Sequence, residues 1–253
     1  MEARGVERGE VEALVEGAGA LGVEIAIDMA RKLGQLTSLL LEANRRTNLT
    51  AVRDRREVLV KHHLDSLSLG RWIGPEARGA VVDVGSGAGF PGLVIAVVRP
   101  QLRVVLVESV LRKTLFLEEA VGVLGLPNVR VVRERAEQLG RDPSWRERFD
   151  FATIRAVGSL ALSLELCAPL LRPGGVALVM KGPRFVDEWE AGRRIAPALG
   201  LAEPQAHRLE LPGPIERVVI TSRKEAATPA AFPRRPGQLG RVSGFSERKA
   251  DRP

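Results

Sequence analysis

The sequence predicts an α/β protein built on a doubly wound, mostly parallel sheet of seven strands. Three observations predict this fold. From Gly79 onward, short β-branched runs alternate with helical stretches, which is typical of a parallel sheet covered by helices on both faces. The last two strand-like runs are separated only by Pro212, Gly213 and Pro214, which leaves no room for a helix and indicates a terminal antiparallel β-hairpin. The residues before Gly79 instead show helical spacing of apolar side chains, which indicates an N-terminal helical extension.

The N-terminal extension is assigned to residues 1–78. Residues 11–44 carry a broad apolar face at helical spacing. Asp54 suits the N-cap of a second helical stretch that reaches toward Trp72, and Glu57 stands three residues later, where a capping box needs it. The extension is therefore expected to consist of helices that pack beside the sheet.

The sheet domain is assigned to residues 79–225 and is expected to contain five parallel strands, their helices and the hairpin. The predicted strands are 80–84, 103–108, 128–133, 149–154, 176–180, 206–211 and 217–221. Helices are predicted over 93–98, 112–124 and 160–171, the last of them closing at Pro173-Gly174-Gly175. Residues 226–253 are rich in Pro, Ala, Gly and Arg without apolar periodicity, so they are predicted to form an extended or partly disordered basic tail.

Composition narrows the class of protein. The formal net charge of +7 and the pI of about 10.4 favour a nucleic-acid partner over a small-molecule substrate. No apolar run approaches the ~20 residues that a membrane helix needs, and the first residues do not resemble a signal peptide, so a cytoplasmic location is expected. Cys167 is the only cysteine and there are three histidines, so no metal site is expected.

The most informative segment is VVDVGSGAGFPG, residues 81–92. An apolar strand ends near Asp83, and Gly85, Gly87 and Gly89 follow at alternate positions before a helix that begins around Phe90. Glycines allow the backbone to approach a ligand closely, and the start of a helix presents free N–H groups. The segment therefore predicts a site for a nucleotide-like molecule, although glycines that serve packing alone would give the same pattern.

The identity of that nucleotide depends on Asp83. Gly87, Gly89 and Gly92 satisfy the G-x-G-x-x-G pattern of dinucleotide sites, but a carboxylate beside the loop would repel a pyrophosphate. A carboxylate suits a ligand with positive groups, and S-adenosylmethionine carries an ammonium and a sulfonium. The acid-x-Gly-x-Gly-x-Gly form is similar to the first motif of methyltransferases that use this cofactor. A parallel sheet that ends in a hairpin is also the topology of those enzymes.

Ligands of open α/β sheets lie beyond the carboxyl ends of the strands, so the residues at those ends are candidates. Glu108 could accept hydrogen bonds from both ribose hydroxyls, or could be a helix N-cap acid. Glu137 could accept from an adenine amino group, or could be an ordinary first-turn acid. Arg155 needs a partner at its buried position: the cofactor carboxylate, an RNA phosphate, a guanine edge, or a salt bridge to Asp83 or Glu108. Lys181 could add a phosphate contact or be solvated.

Seven strings together carry a resemblance to one family. They are NLTA from Asn48, KHHLDSL from Lys61, DVGSGAGFPG from Asp83, RAEQL from Arg135, RAV from Arg155, MKGP from Met180 and FPRRPG from Phe232. In this order they resemble the bacterial small-subunit ribosomal RNA methyltransferase G family, also called glucose-inhibited division protein B. The resemblance runs from about Asn48 to Gly237; His63 departs from the family pattern, and the N-terminal leader and the end of the tail match poorly.

The resemblance implies a class I, Rossmann-like methyltransferase that moves a methyl group from S-adenosylmethionine to N7 of one guanine in 16S rRNA, free or in a small-subunit particle. With the residues considered above, the expected cofactor contacts are Asp83, Gly85, Gly87, Gly89, Phe90, Glu108, Ser109, Val110, Ala136, Glu137 and Arg155. The expected substrate contacts are Asn48, His62, Asp65, Arg155, Lys181, Arg234 and Arg235.

No general base is expected, because N7 has a lone pair and no proton to lose. A monomer without a membrane partner is the default expectation. Two alternatives stay open at this point: an NAD-dependent oxidoreductase, and a non-catalytic rRNA-binding or ribosome-assembly protein on the same fold.

Overall fold

The computed structural model describes residues 8–212 and 215–235. Its centre is one seven-stranded sheet with the strand order β3-β2-β1-β4-β5-β7-β6. The strands are β1 (Ala80–Val84), β2 (Arg103–Val107), β3 (Val129–Val132), β4 (Phe149–Arg155), β5 (Leu171–Lys181), β6 (Gln205–Leu211) and β7 (Ile215–Arg223). The first five pair in parallel, while β7 runs antiparallel to both β5 and β6. The predicted fold class and the terminal hairpin are confirmed.

Helices cover both faces of the sheet. They are α1 (Arg8–Ala20), α2 (Ile27–Thr47), α3 (Arg55–Val58), α4 (Asp65–Leu67), α5 (Gly92–Val98), α6 (Leu111–Leu124), α7 (Ala136–Leu139), α8 (Leu160–Cys167) and α9 (Trp189–Ile195). One core lies between the N-terminal helices, α5, α6 and the sheet; the second lies under α7, α8 and α9. No helix within residues 8–212 and 215–235 combines the length and the apolar character needed to cross a membrane.

The N-terminal extension is helical, as predicted, but its helical stretches are interrupted. Residues 11–44 belong to two helices, because the chain turns at Gly22, whose φ of 72° lies in the left-handed region. Asp54 caps α3 by accepting from the backbone N–H of Glu57 at 3.0 Å. The stretch toward Trp72 then continues from α3 through a π-helical segment (Leu59–Leu64) and α4 into a 3₁₀ turn (Ser68–Arg71).

The boundary between α8 and β5 differs from the prediction. The helix ends at Cys167 rather than near residue 171, and Leu171 already pairs with Phe149 in the sheet. The Pro173-Gly174-Gly175 segment is therefore a bulge inside β5 and not the end of a helix; the N–H of Gly174 donates to the carbonyl of Lys224.

Residues 226–235 contain neither helix nor strand, in line with the expected extended tail, but they are not disordered, because they pack against the sheet domain. The Arg146 guanidinium donates to the carbonyls of Thr228 and Phe232, and the backbone N–H of Thr228 donates to Glu147 at 2.9 Å. Arg234 forms a two-nitrogen ion pair with Glu165, whose side chain is fully buried. The described part of the tail therefore belongs to the fold, and residues 236–253 lie outside the described residues.

Candidate active site

A cavity of about 680 Å³ opens where the sequence analysis places the ligand, at the carboxyl ends of β1, β2 and β4. Its size is in the range of small-molecule sites. The N-terminal extension closes one side of it, and β5 and β7 close another. Its lining comprises Leu49, Thr50, Val52, Lys61, His62, Asp65, Gly85, Ser86, Gly87, Ala88, Phe90, Glu108, Ser109, Lys113, Arg155, Ala156, Val157, Met180, Lys181, Gly182 and Arg217.

The glycine loop and Glu108 form one wall of the cavity. The two oxygens of the Glu108 carboxylate accept from two backbone groups, Gly87 N–H at 3.0 Å and Val110 N–H at 2.9 Å. The carboxylate thus ties the loop to the β2–α6 connection, and each oxygen keeps a lone pair for a ligand. A side chain at Gly85 is disfavoured twice, since its φ is 69° and an added Cβ would approach Val157 to 2.7 Å.

Asp83 does not line the cavity. Its carboxylate accepts from the N–H of Gly92 at 3.1 Å and from the hydroxyl of Thr153 at 2.8 Å, and the residue is buried. Burial raises the pKa of Asp83 to about 6, although these hydrogen bonds oppose the shift. The structure therefore turns Asp83 beneath the glycine loop, where it holds the start of α5, so the expectation that its carboxylate faces the ligand does not match this geometry.

A cluster of charged side chains forms the opposite wall. One carboxylate oxygen of Asp65 lies 3.1 Å from Nη1 of Arg155 and 3.1 Å from Nε of Arg217. Nη1 of Arg155 also donates to the carbonyl of Lys61, and the guanidinium lies 5.5 Å from the ring centroid of Phe90. The buried partner that the sequence analysis demanded for Arg155 is thus Asp65, and neither Asp83 nor Glu108.

The ring of His62 connects the two walls. It stacks on Phe90 with a centroid distance of 4.6 Å, and its Nε2 lies 3.0 Å from the hydroxyl of Thr50. Burial, followed by the charge of Arg155, lowers the pKa of His62 to about 4. His62 is therefore a neutral ring at neutral pH, suited to stacking and hydrogen bonding.

Two lysines that line the cavity, Lys61 and Lys181, are paired with carboxylates. Nζ of Lys181 lies 2.8 Å from Glu188, and Nζ of Lys61 lies 2.5 Å from Glu57. The lysine that was considered a phosphate contact is thus neutralised by a carboxylate. No group of three or more metal-ligating side chains occurs in the described part of the chain.

Several residues singled out from the sequence lie away from the cavity lining. Asn48 ends α2 in the left-handed conformation and does not line the cavity. Its neighbours Leu49 and Thr50 do. Arg234 is held by Glu165, and the exposed Arg235 is likewise absent from the lining. The expected position of these two arginines near the pocket is therefore not observed. The other candidates outside the lining are Gly89, Val110, Ala136 and Glu137, whose contacts with a cofactor stay predictions.

The sequence analysis missed Thr50, Lys113 and Arg217 as cavity residues. Thr50 stood inside the NLTA string and carried a usable signal. Arg217 carried no such signal. It lies near the start of the antiparallel strand β7, and this start meets the end of β5 at the edge of the cavity.

Comparisons with known proteins agree with this architecture. The family model described as GidB, rRNA small subunit methyltransferase G, matches residues 29–211. The chain is 40% identical over 227 residues to the ribosomal RNA small subunit methyltransferase G of Pelotomaculum thermopropionicum, covering 89% of this chain and 95% of that protein. It is 42% identical over 230 residues to the protein of the same name from Symbiobacterium thermophilum, covering 88% and 94%.

Among solved structures, the YcgJ protein from Bacillus subtilis superposes with a TM-score of 0.51 at 15% identity, covering 66% of this chain and all of that chain, which shows a shared fold. The family match and the two relatives disfavour the oxidoreductase alternative, which rested on the G-x-G-x-x-G pattern and Glu108. By its sequence over most of its length and by its sheet topology, the chain belongs to the rRNA small subunit methyltransferase G (GidB) family.

Proposed function

We propose that the chain binds S-adenosylmethionine in the cavity and methylates N7 of a guanine in 16S ribosomal RNA. The observation that carries the proposal is the fixed Glu108 carboxylate beside the glycine loop, in a cavity that continues to the charged wall of Asp65, Arg155 and Arg217. The arrangement offers a nucleoside site at one end and room for a second reactant at the other. The family name and the names of the relatives supply the class of the second reactant, small-subunit rRNA.

The hydrogen-bonding groups beside the glycine loop fit an adenosine cofactor. The carboxylate of Glu108 can accept from ribose hydroxyls with its remaining lone pairs, and Ser109 and the 85–88 turn lie beside it on the lining. S-adenosylmethionine supplies an electrophilic methyl group on a positively charged sulfur, whose transfer to N7 forms one C–N bond and breaks one C–S bond. The task that falls to the protein is to hold two molecules in line.

No proton has to leave N7, so the reaction does not need a general base on the cavity wall. His62, the imidazole on its wall, is shielded, and its lowered pKa of about 4 makes it a poor base at neutral pH. Guanine gains positive charge as it is methylated, so unpaired cations close to it would oppose the reaction. Lys61, Lys181 and Arg155 each lie within 3.1 Å of a carboxylate oxygen, which limits that opposition.

The basic surface supports an RNA partner. A net charge of +7 attracts phosphates and makes binding dependent on salt. We infer that the partner is 16S rRNA or a small-subunit particle, and that the protein acts in the cytoplasm, where ribosomes are assembled. The expectation of a monomer stays a prediction.

Mass mapping of 16S rRNA tests the function directly. The purified protein is incubated with isotopically methyl-labelled S-adenosylmethionine and with small-subunit rRNA from cells that lack the gene, as naked RNA and as particles. We expect one labelled 7-methylguanosine in at least one of the two substrates. Label on another atom or base would refute the N7 assignment, and RNA binding without any label would favour the non-catalytic alternative.

A further inference from the structure

Resting on the function proposed above, we propose that Asp65 reads the Watson–Crick edge of the target guanine and so determines the base specificity of the cavity. The two oxygens of its carboxylate are in different situations. Oδ2 accepts a hydrogen bond from Nη1 of Arg155 at 3.1 Å and forms an ion pair with Nε of Arg217, also at 3.1 Å. Oδ1 is buried and has no hydrogen-bond partner among the described residues.

An unpaired carboxylate oxygen at this place needs an explanation. The side chain of Asp65 is only 2% exposed, yet the residue belongs to the cavity lining. Buried polar atoms without partners are uncommon, because they lose water and gain nothing in return. Oδ1 is covered in this conformation, so an incoming base has to displace part of the lining to reach it. A donor that arrives with the substrate would then satisfy Oδ1, while Arg155 and Arg217 hold the carboxylate against the wall.

Guanine presents the matching pattern. Its Watson–Crick edge carries two adjacent donors, N1–H and the N2 amino group, and next to them the acceptor O6. A carboxylate oxygen beside guanidinium groups offers an acceptor next to donors, which is the complement of that edge. Adenine has an acceptor at N1 and carries no amino group at C2, so the same wall would meet it with mismatched groups.

The orientation also leaves the reactive atom accessible. N7 lies on the far side of O6 from N1, so a guanine held by its Watson–Crick edge turns N7 away from Asp65. The base must leave its stack to present this edge, as in other enzymes that act on single bases. Sites built to hydrogen-bond a substrate group discriminate strongly against analogues that lack it.

The test is a double-mutant cycle between the protein and the base. The target guanine is replaced by inosine, which lacks only the N2 amino group, and Asp65 is replaced by asparagine. In D65N the two arginines draw the amide oxygen toward themselves, so the amide nitrogen stands at the Oδ1 position and faces the guanine donors. Initial rates give kcat/KM for the four combinations.

We expect the wild-type protein to lose roughly 10- to 100-fold in kcat/KM when guanine becomes inosine, and D65N to lose less than about threefold on the same replacement. The exposed N-cap variant Asp54→Asn is the matched control; it lies outside the cavity lining and should show the wild-type ratio. Equal losses in wild type and D65N would overturn the inference, because a purely structural role of Asp65 would lower both rates by the same factor.

A second measurement separates the base from the cofactor. Because the ammonium of S-adenosylmethionine is also a donor, its dissociation constant is measured for wild type and D65N. We expect a change of less than about threefold; a large loss of cofactor binding together with equal losses on inosine would assign Asp65 to the cofactor. If the wild-type protein transfers no methyl group to guanine, the proposed function itself fails and the inference falls with it.

Discussion

Replacing Glu108 by glutamine should weaken cofactor binding while leaving the fold intact. The wild-type carboxylate accepts from Gly87 N–H and Val110 N–H at 3.0 and 2.9 Å, one bond on each oxygen. Glutamine has nearly the same shape but only one acceptor oxygen, so one of the two backbone groups would face an amide N–H. The tie between the glycine loop and the β2–α6 connection would be broken on one side.

The size of the effect follows from the bonds that are lost. A hydrogen bond to a charged group contributes about 1.5–3 kcal/mol, and every 1.4 kcal/mol corresponds to about a factor of ten in the dissociation constant. The weaker acceptance from ribose by a neutral amide should raise the dissociation constant of S-adenosylmethionine roughly 10- to 100-fold, and the lost bond to the backbone should lower the free energy of unfolding by about 1.5–3 kcal/mol.

Isothermal titration calorimetry with S-adenosylmethionine measures the effect. Glu118, an exposed residue of α6 outside the cavity lining, supplies the matched control E118Q. The control should bind like the wild type and keep its urea midpoint, whereas E108Q should fold but unfold at a lower urea concentration, because it lacks one bond to the backbone. A dissociation constant for E108Q within twofold of the wild-type value, in a folded protein, would refute the assignment of Glu108 to the nucleoside end of the cavity.

Four further predictions follow from the structure. Acidification from pH 7 to 4.5 should destabilise the fold by roughly 3 kcal/mol through His63, since burial lowers its pKa from 6.5 to about 3 and only the unfolded chain takes up the proton in this window. Asp83 acts in the opposite direction, because its pKa is raised to about 6 and the folded chain takes up the proton first. The effect of His63 is therefore measured as the slope of unfolding free energy against pH, which should be flatter in His63→Gln than in the wild type. An unchanged slope contradicts the reasoning. Arg155→Lys keeps the charge but cannot reach Lys61 and Asp65 together, so methylation should fall at least about tenfold in a protein that still folds; undiminished turnover would count against its role in the cavity. Glu165→Gln leaves Arg234 without its buried partner and should cost roughly 3 kcal/mol in urea unfolding, whereas a change below about 0.5 kcal/mol would show that the tail contact contributes little. Binding of small-subunit rRNA should weaken with a steep negative slope of log K against log salt, and a flat slope would exclude phosphate contacts.

The sheet was predictable because its signals are local and redundant. Strand-forming runs alternate with helical ones, and a three-residue connection excludes a crossover helix. The end of α8 was not predictable from the same signals, since Pro173, Gly174 and Gly175 serve equally well after a helix or in a bulge, and only the pairing of Leu171 with Phe149 decides between them. The tail was misjudged for a similar reason: its composition gives no hint of the buried carboxylate that holds Arg234.

The candidate site was predictable as a place but only partly as a set of contacts. The loop glycines and Glu108 lie in a short stretch of sequence around one strand end, so their proximity is a local property. The direction of the Asp83 carboxylate depends on Thr153 of a neighbouring strand, and the partner of Arg155 comes from the N-terminal extension, about 90 residues earlier in the chain. Contacts of that range leave no periodic trace in a single sequence.

The ring of Phe90 belongs to the glycine loop, yet it packs on His62 and beneath the Arg155 guanidinium, which stand in the part of the cavity that we propose for the RNA. A shift of the loop on binding of the proposed methyl donor would therefore reach the proposed RNA side of the cavity through this ring. Thermodynamic reciprocity then requires that RNA favour or disfavour the methyl donor by the same factor by which the donor affects RNA. Through this stack the two occupancies would depend on each other, so a measurement of either affinity has to state whether the other partner is present.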